Sequence, residues 1–491
     1  MDVQTSLLGL STMFGRKVSQ SLTNSEIPLP GGRDAANVLS ASARAFVDNA
    51  ECVAGVIKVI GRLELFLMCQ SLSGDTFGFT AQSTFTQTVE MEGVTPGMTA
   101  EVTAQVLECS VQPDTLRLKM TAVLELTVFV TAPVTTPFVT DITGAAGLEK
   151  RCSKMEIKRR VLLGELNHRI REEVDAKGVS RVLLYHGTAQ ITGVSYSGAS
   201  SCEADGRLMV TVLTENEADD LHSMQINLAF NCSFDAPYLS SIWATCAVES
   251  ISVVATDVSF GLVDTEAVLK IRLYGVETSE YSVLLDAYDA AASFTCRSVQ
   301  LDRLCCTGAV QQTFSIQENV MIPKHLPDAL MPIYACAMPV VTGVYERSGM
   351  LGTDVMLLLS MVYRCDEGKL HSFAEDIPIQ LDFSVPFTPD AQIQICVLSV
   401  TPGGTGRTLT LSVLLSGLAV LYRTEPTQLA EELTNGGIPC PYNGILIYCA
   451  DAGETLWDIG KRFSVPLSTL RVWNADLCDP LREGQAIVLM K

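Results

Sequence analysis

The stretch Gly61-Arg62-Leu63-Glu64-Leu65-Phe66-Leu67 decides the fold of this 491-residue chain, because it occurs more than once. It returns as Gly206-Arg207-Leu208-Met209-Val210-Thr211-Val212, where the glycine, the arginine and the first leucine coincide. The interval from residue 61 to residue 206 is 145 residues. A third copy, Thr353-Asp354-Val355-Met356-Leu357-Leu358-Leu359, places Val355 opposite Leu208, an interval of 147 residues. A nearly constant interval indicates three structural repeats.

Sequence on the amino-terminal side of each copy supports the same repeat. The segment Leu39–Ala43 corresponds to Leu184–Thr188 at the same interval, and Ile333–Ala337 occupies the third position. The first and third repeats also begin alike, with Ile27-Pro28 and Ile322-Pro323, whereas the second repeat lacks this pair. We therefore expect three copies of one fold.

Strict alternation of polar and apolar residues predicts β structure in each repeat. In the segment 99–106, Thr, Glu, Thr and Gln alternate with Ala, Val, Ala and Val. This period of two is typical of a strand with one face in water. Because a repeat of about 110 residues has the size of a sandwich domain, we predict three separate antiparallel, sandwich-like β domains in a row.

The repeats and the remaining sequence define a domain organisation. Gly436-Gly437-Ile438-Pro439-Cys440-Pro441 is typical of a boundary, and 427–435 has the pattern of a short helix. The mixed charges between Lys150 and Arg171 predict a solvated helix or linker, or a docking site for an acidic partner. The predicted limits are an N-terminal segment 1–24, repeat 25–132, linker 133–169, repeat 170–278, linker 279–316, repeat 317–424, linker 425–441 and a C-terminal domain 442–491.

Composition limits the classes of function. Hydrophobic residues make up 47% and charged residues 18%, as in globular proteins, and the net charge of −21 disfavours a nucleic-acid partner. Apart from the adjacent pair Cys305-Cys306, the 16 cysteines are scattered singly, which predicts buried free thiols in a reducing cytosol. The start Met1-Asp2 has no basic region before Leu7, so we expect no secretory signal. No apolar run approaches the roughly 20 residues of a membrane span.

The last fifty or so residues predict a small β-α-α-β domain. A strand, Ile445–Tyr448, precedes a helix that Thr455 begins as its N-cap, with Asp458 three residues later. A second short helix follows at Leu467–Trp473, and Ala486–Met490 predicts a last strand.

This C-terminal domain resembles the LysM family. The family core G-[DE]-T-L-W-x-I-x-x-[RK]-[FY]-x-V matches Gly453–Val465, and its later motifs match Leu470–Asn474 and Gly484–Ile487. The family's proline after the turn asparagine is replaced by Ala475, and Cys478 lies in the second loop. The resemblance implies a ligand groove between two loops, formed by Asp451, Gly453, Glu454, Thr455 and Leu456 on one side and by Asn474, Asp476 and Leu477 on the other.

Several of these residues have structural interpretations as well. Thr455 is suited to capping the helix, and Asn474 is suited to a turn. A further set of apolar residues is expected in the core of the domain rather than in the groove: Trp457, Ile459, Phe463 and Trp473. The groove assignment and the structural assignment both stay open at this point.

The order of three β repeats and one terminal LysM domain resembles the SPOCS-domain spore-coat family of endospore-forming Firmicutes, in particular its SipL-type members. The resemblance implies a protein of the mother-cell cytoplasm at the forespore surface that anchors the spore coat. Its implied partners are the morphogenetic ATPase of the coat basement layer, spore stage IV protein A, and other coat proteins, with the LysM domain holding a protein.

No enzyme motif is present in the sequence. The five histidines have no metal-binding spacing, and there is no nucleophile elbow or Walker loop. The glycine-rich stretch Pro402–Gly406 is not followed by a helix, so it predicts a hairpin turn. We therefore expect a non-enzymatic adaptor without a cofactor. The alternatives are a protein that binds peptidoglycan or N-acetylglucosamine and, last, a glycan hydrolase with a LysM targeting domain.

Overall fold

Long antiparallel strands make up most of the structure, a computed structural model, as the sequence predicts. It describes residues 2–114, 116–144, 148–176, 178–198, 200–218, 220–257, 261–289, 294–435, 444–475, 477 and 479–490. Within these ranges lie 20 strands and two short α-helices. Neither helix has the length and apolarity needed to cross a bilayer, and the described residues contain no other candidate.

Each repeat contributes six strands. The first repeat consists of β1 (Asp2–Pro28), β2 (Asn37–Val53), β3 (Val56–Gln70), β4 (Thr76–Glu90), β5 (Thr99–Asp114) and β6 (Arg117–Thr143). The second consists of β7 (Glu149–Asp175), β8 (Val179–Tyr196), β9 (Ser201–Asn216), β10 (Leu221–Asp235), β11 (Ile242–Asp257) and β12 (Leu262–Tyr288). The third consists of β13 (Phe294–Met321), β14 (Ala329–Arg347), β15 (Met350–Cys365), β16 (Leu370–Pro386), β17 (Gln392–Gly403) and β18 (Thr408–Asn435).

The C-terminal module follows the third repeat. It consists of β19 (Ile445–Cys449), α1 (Leu456–Phe463), α2 (Leu467–Trp473) and β20 (Ala486–Met490). The predicted order β-α-α-β is therefore present.

The strands of every repeat form two three-stranded antiparallel sheets with one topology. In the first repeat the sheets have the orders β1-β6-β5 and β2-β3-β4, and the other repeats reproduce both orders. Apolar side chains from both sheets meet in one core per repeat. The predicted sandwich-like arrangement follows from this face-to-face burial.

The recurring sequence lies on the central strands β3, β9 and β15, which explains its repetition. Gly61 pairs with Phe85 and Gly206 with Phe230. A side chain at either glycine would collide with the partner's ring, so the glycine leaves room for the aromatic ring.

The third copy of this pair has a different composition. Val355 pairs with Ile379, and Val341 faces Val355 as Ile191 faces Gly206. Val355 therefore corresponds to Gly206 rather than to Leu208, and the predicted alignment of the third copy was wrong by two residues. Two medium side chains replace a glycine and an aromatic ring, which conserves volume but removes the sequence signal.

A β-bulge occurs at the same place in the second strand of every repeat. The register shifts lie between Val38 and Ser40, between Val182 and Leu184, and between Pro332 and Tyr334. The inserted residues at these shifts are Leu39, Leu183 and Ile333. The sequence comparison paired Leu39 with Leu184, one residue too far, because neighbouring leucines made the two registers equally plausible.

The three repeats close into a ring, which differs from the predicted row of separate domains. The second strand of each repeat contacts the fourth strand of another, in the pairs β4 with β8, β10 with β14 and β16 with β2. The bulges turn apolar side chains away from each repeat's own core and toward its neighbours. These side chains form a buried central cluster: Leu39, Phe66, Met68, Leu183, Leu184, Leu213, Leu221, Ile333, Tyr334, Cys336, Met338 and Val362.

The stretches predicted as linkers are largely strand. Residues 133–169 contain the end of β6 and much of β7, and residues 279–316 contain the end of β12 and much of β13. Within the predicted N-terminal segment 1–24, residues 2–24 belong to β1, and the predicted helix 427–435 is the end of β18. The limits of the domains as such remain a prediction.

Charged side chains on the outward face make these strands difficult to recognise in the sequence. In β7 the side chains of Met155 and Ile157 are buried. Glu156, which lies between them, and Lys154, which precedes them, are exposed. The mixed charges therefore mark the wet face of a strand rather than a helix or linker. Met155 and Ile157 pack against other long strands. Together with Leu8, Phe138 and Leu429 they belong to one buried cluster.

Most described cysteines are buried free thiols, as predicted. Burial raises the pKa of the Cys69 thiol to about 12. Cys152, Cys396 and Cys449 are exposed, so the prediction of burial is wrong for these three.

Candidate functional site in the C-terminal module

The C-terminal module has its own small core. Strands β19 and β20 pair antiparallel, from Ile445 opposite Met490 to Cys449 opposite Ala486. One face of this two-stranded sheet packs against both helices, and Ile459, Leu470 and Ile487 are fully buried there. The helices thus fix the positions of the loops that connect them to β19 and β20.

Helix α1 begins at the predicted cap. The Thr455 hydroxyl accepts a hydrogen bond from the Asp458 N–H, and the Asp458 carboxylate accepts one from the Thr455 N–H at 2.9 Å. The hydroxyl also donates to the same carboxylate at 2.6 Å. This reciprocal capping box satisfies the free backbone groups of the first turn, so the polar groups of Thr455 are engaged within the helix.

Glu454 is engaged in a similar way. Its carboxylate accepts hydrogen bonds from the Tyr448 hydroxyl and the Asp451 N–H, each at 2.9 Å, and pairs with Arg462 at 2.9 Å. Its carbonyl accepts a hydrogen bond from the Leu481 N–H at 2.8 Å. Glu454 therefore joins the first loop to the second and is itself largely satisfied.

Asn474 ties the second helix to the last strand. Its amide donates to the carbonyls of Leu470 at 3.0 Å and Val488 at 2.8 Å, and its side-chain oxygen accepts from the Val488 N–H at 2.7 Å. Three directed hydrogen bonds use both amide protons and the oxygen. These hydrogen bonds inside the module use the whole side-chain amide of Asn474, which agrees with its structural interpretation.

The two predicted groove loops lie side by side. Besides the contact between Glu454 and Leu481, the Leu456 N–H donates to the Asp479 carboxylate at 3.2 Å. Asp451 and Gly453 are exposed, Leu456 is buried, and Leu477 is half-buried against the module core. Asp476 and Cys478 lie outside the described residues. Ligand binding in this groove stays a prediction.

One face of helix α1 is covered by the second repeat. The Trp457 indole N–H donates to the Asp286 carboxylate at 2.8 Å, and the Lys461 ammonium pairs with the same carboxylate at 2.6 Å. Ile459 and Phe463 lie in the module core as expected, and Trp473 packs against it. Trp457 is buried too, as expected of a core residue, but it is buried against the end of β12 rather than inside the module.

Tyr288 completes this contact, which we call the dock. Its hydroxyl donates to the Val465 carbonyl at 3.0 Å, and its ring stands edge-on to Trp457 with centroids 5.0 Å apart. Burial raises the pKa of Tyr288. A side chain at Gly460 would collide with the Tyr288 hydroxyl. The only sequence signal for the dock is this glycine in the middle of a helix, where glycine costs about 1 kcal/mol relative to alanine.

A second polar contact of the dock involves helix α2. The Leu467 N–H donates to the Glu149 carboxylate at 3.1 Å, and Glu149 begins β7. Because an acidic side chain satisfies a free N–H of the first helical turn, this end of α2 needs no cap of its own. The dock therefore joins both helices to the two long strands of the second repeat.

Charged groups elsewhere in the ring are largely paired. A cavity of about 460 Å³ lies between the three repeats, and Arg160 on its wall hydrogen-bonds Glu101 of the first repeat and lies 6.0 Å from the Tyr422 ring of the third. Within the ranges that the structure describes, no group of three or more His, Cys, Asp or Glu side chains could hold a metal ion. The Arg160 contacts thus join repeats.

Comparison with known proteins gives one match. The family model described as SipL, SPOCS domain matches residues 34–114. This segment covers β2 to β5 of the first repeat, so the predicted resemblance to SipL-type SPOCS proteins is confirmed over that segment. No curated protein and no solved structure matches the chain.

Proposed function

We propose that this chain, which carries a SPOCS domain of the SipL family at residues 34–114, is a non-enzymatic adaptor in spore-coat morphogenesis. It acts at the forespore surface in the mother-cell cytoplasm and anchors coat proteins there. The support is the family match together with three repeats of one topology and a separate terminal module. An adaptor needs several surfaces held at fixed positions, and a closed ring with a docked module supplies them.

We further propose that the terminal module is a LysM domain that holds a protein, the ATPase of the coat basement layer. One observation favours a protein over a glycan: the polar side chains of Glu454, Thr455 and Asn474 are already engaged in hydrogen bonds inside the module. An N-acetyl sugar needs well-placed polar groups for its orientation. Breaking internal hydrogen bonds to supply them would cost free energy.

The dock also supports an adaptor. Asp286 and Tyr288 of the second repeat hold helix α1, so the module has a fixed direction relative to the ring. A partner bound to the module would then lie at a fixed place beside the three repeats. This is the geometry of a scaffold.

Binding of peptidoglycan or N-acetylglucosamine is the second candidate. It is favoured by the exposed backbone at Gly453, whose φ is 82°, and by the exposed residue Asp451 in the same loop. Backbone groups and short acidic side chains can hydrogen-bond sugar hydroxyls.

A binding comparison with the full-length chain distinguishes the candidates. The chain is mixed with the basement-layer ATPase and, separately, with insoluble peptidoglycan, and Asp451→Ala is the groove variant. We expect the ATPase to be retained, peptidoglycan not to sediment the chain, and Asp451→Ala to behave as wild type. Sedimentation by peptidoglycan that Asp451→Ala weakens, without retention of the ATPase, would overturn the adaptor proposal.

A further inference from the structure

The outer face of the β19–β20 sheet is apolar and open to solvent. Ile445 is 74% exposed and Ile447 64%, and Met490 opposite Ile445 is 41% exposed. Val488 lies opposite Ile447 on this face and is half-buried. We call Ile445, Ile447, Val488 and Met490 the outer face.

This composition departs from the usual pattern of a two-layer module. The opposite face of the sheet is used by Leu446, Ile487 and Leu489, which pack against the helices. An antiparallel sheet with one packed face normally carries polar residues on its wet face. Single exposed apolar side chains are normal, whereas a contiguous row indicates an interaction site.

The rest of the described chain leaves the outer face uncovered. The dock uses Trp457 and Lys461 on α1 and the start of α2, on the helical side of the module. The sheet's outer side consequently faces away from the second repeat. The docked orientation presents this side to solvent.

Chemistry decides what can bind there. Ile, Val and Met side chains offer no hydrogen bond to a sugar, so the outer face does not suit a glycan. Neither β19 nor β20 contains a charged residue, although the whole chain carries a net charge of −21. Two copies of so acidic a chain repel each other, which disfavours a second copy as the occupant.

We infer that the outer face is the surface by which the module binds its protein partner, a protein that presents complementary apolar side chains. The inference rests on the proposed function and names the surface that performs it. Five residues per strand at about 3.3 Å each give a contact of roughly 16 Å in length. Such a contact is an anchor within a larger interface.

Charge substitution in the full-length chain tests this surface. Ile447→Asp places a carboxylate at the centre of the outer face, and Val472→Asp, at a residue 79% exposed on α2, is the matched control. Binding to the basement-layer ATPase is measured by titration. We expect Ile447→Asp to weaken binding at least about 30-fold, as for a central apolar anchor, and Val472→Asp to leave it unchanged. Thermal unfolding of both variants verifies the fold.

The outcomes separate the inference from the proposed function. Wild type that fails to bind the ATPase overturns the proposed function. Wild-type binding that Ile447→Asp leaves unchanged, or that Val472→Asp weakens equally, overturns the inference alone. Sedimentation that shows a wild-type dimer lost in Ile447→Asp identifies a second copy as the occupant and also overturns it.

Discussion

The contacts among the three repeats differ in kind from the contact between the ring and the C-terminal module. Repeats meet through the central cluster, in which Met68, Leu213 and Val362 are fully buried. The module meets the ring through directed polar contacts to Asp286 and one aromatic residue, Tyr288. Apolar burial is strong and non-directional, whereas hydrogen bonds contribute less net stability but fix orientation. Apolar burial therefore holds the three repeats together, whereas the polar contacts of the dock fix the orientation of the module.

The largest expected effect comes from the central cluster. Leu184 is 1% exposed between repeats, and Leu184→Ala should lower the free energy of unfolding by about 2–5 kcal/mol through lost burial and a cavity. Denaturant unfolding measures this change, with the exposed Val472→Ala as the control. A loss below about 1 kcal/mol would contradict the view that this cluster holds the ring together.

His186 should make the ring sensitive to acid. Burial, and then the nearby Arg44 guanidinium, lower the pKa of His186 to about 3, and the Tyr334 hydroxyl lies 3.4 Å from its Nδ1. The unfolded state binds a proton below about pH 6.5 while the native state does not, so stability falls as pH drops from there toward 3.

The slope from this group is at most about 1.4 kcal/mol per pH unit. Unfolding measured between pH 7 and pH 4 should show a shallower decline in His186→Gln than in wild type. Equal declines in both proteins would exclude this histidine as the cause.

A smaller effect is expected at the dock. Gly460→Ala inserts a methyl group against the Tyr288 hydroxyl, which should weaken docking by about 1–3 kcal/mol. Limited proteolysis should then cut between the ring and the module faster, while unfolding of the ring stays unchanged. Adding Tyr288→Phe should restore part of the protection, because it removes the colliding oxygen; faster cleavage in the double variant would contradict this account.

Asp286→Ala should give the smallest effect, about 1 kcal/mol, because the carboxylate is partly exposed. It leaves the Trp457 indole N–H and Lys461 without their shared acceptor. Trp457 is one of three tryptophans in the chain, so its fluorescence reports the release. Lys461→Ala, which retains the indole hydrogen bond, is the matched control and should shift the spectrum less.

Much of the fold was predictable because strands have a short, local signal. Alternation over 99–106 and the repeated motif at Gly61 identified β repeats, and Thr455 and Asp458 identified the start of α1. The long strands were missed where both faces carry polar side chains over part of their length, as in β7. Ring closure was missed because the bulges that produce it depend on pairing register rather than on composition.

The candidate site was predictable in part for a similar reason. Family motifs located the two loops, which do lie side by side, and the cap at Thr455. They could not indicate that Trp457 serves the dock, because a large amphipathic side chain suits a core and an interface equally well. The exposure of Ile445 and Ile447 could not be predicted from the sequence either, because the pattern of a short apolar strand does not show which of its faces is covered.

A ring whose repeats join β4 to β8, β10 to β14 and β16 to β2 has consequences for pieces of the molecule. Each repeat offers one surface to the next and another to the previous, and three copies use up all of them. Because the same kind of contact closes after three repeats, separate single repeats would be expected to reassemble into closed rings of three rather than into open chains. A fragment of two repeats would keep one unmatched surface of each kind, with room between them for one further repeat.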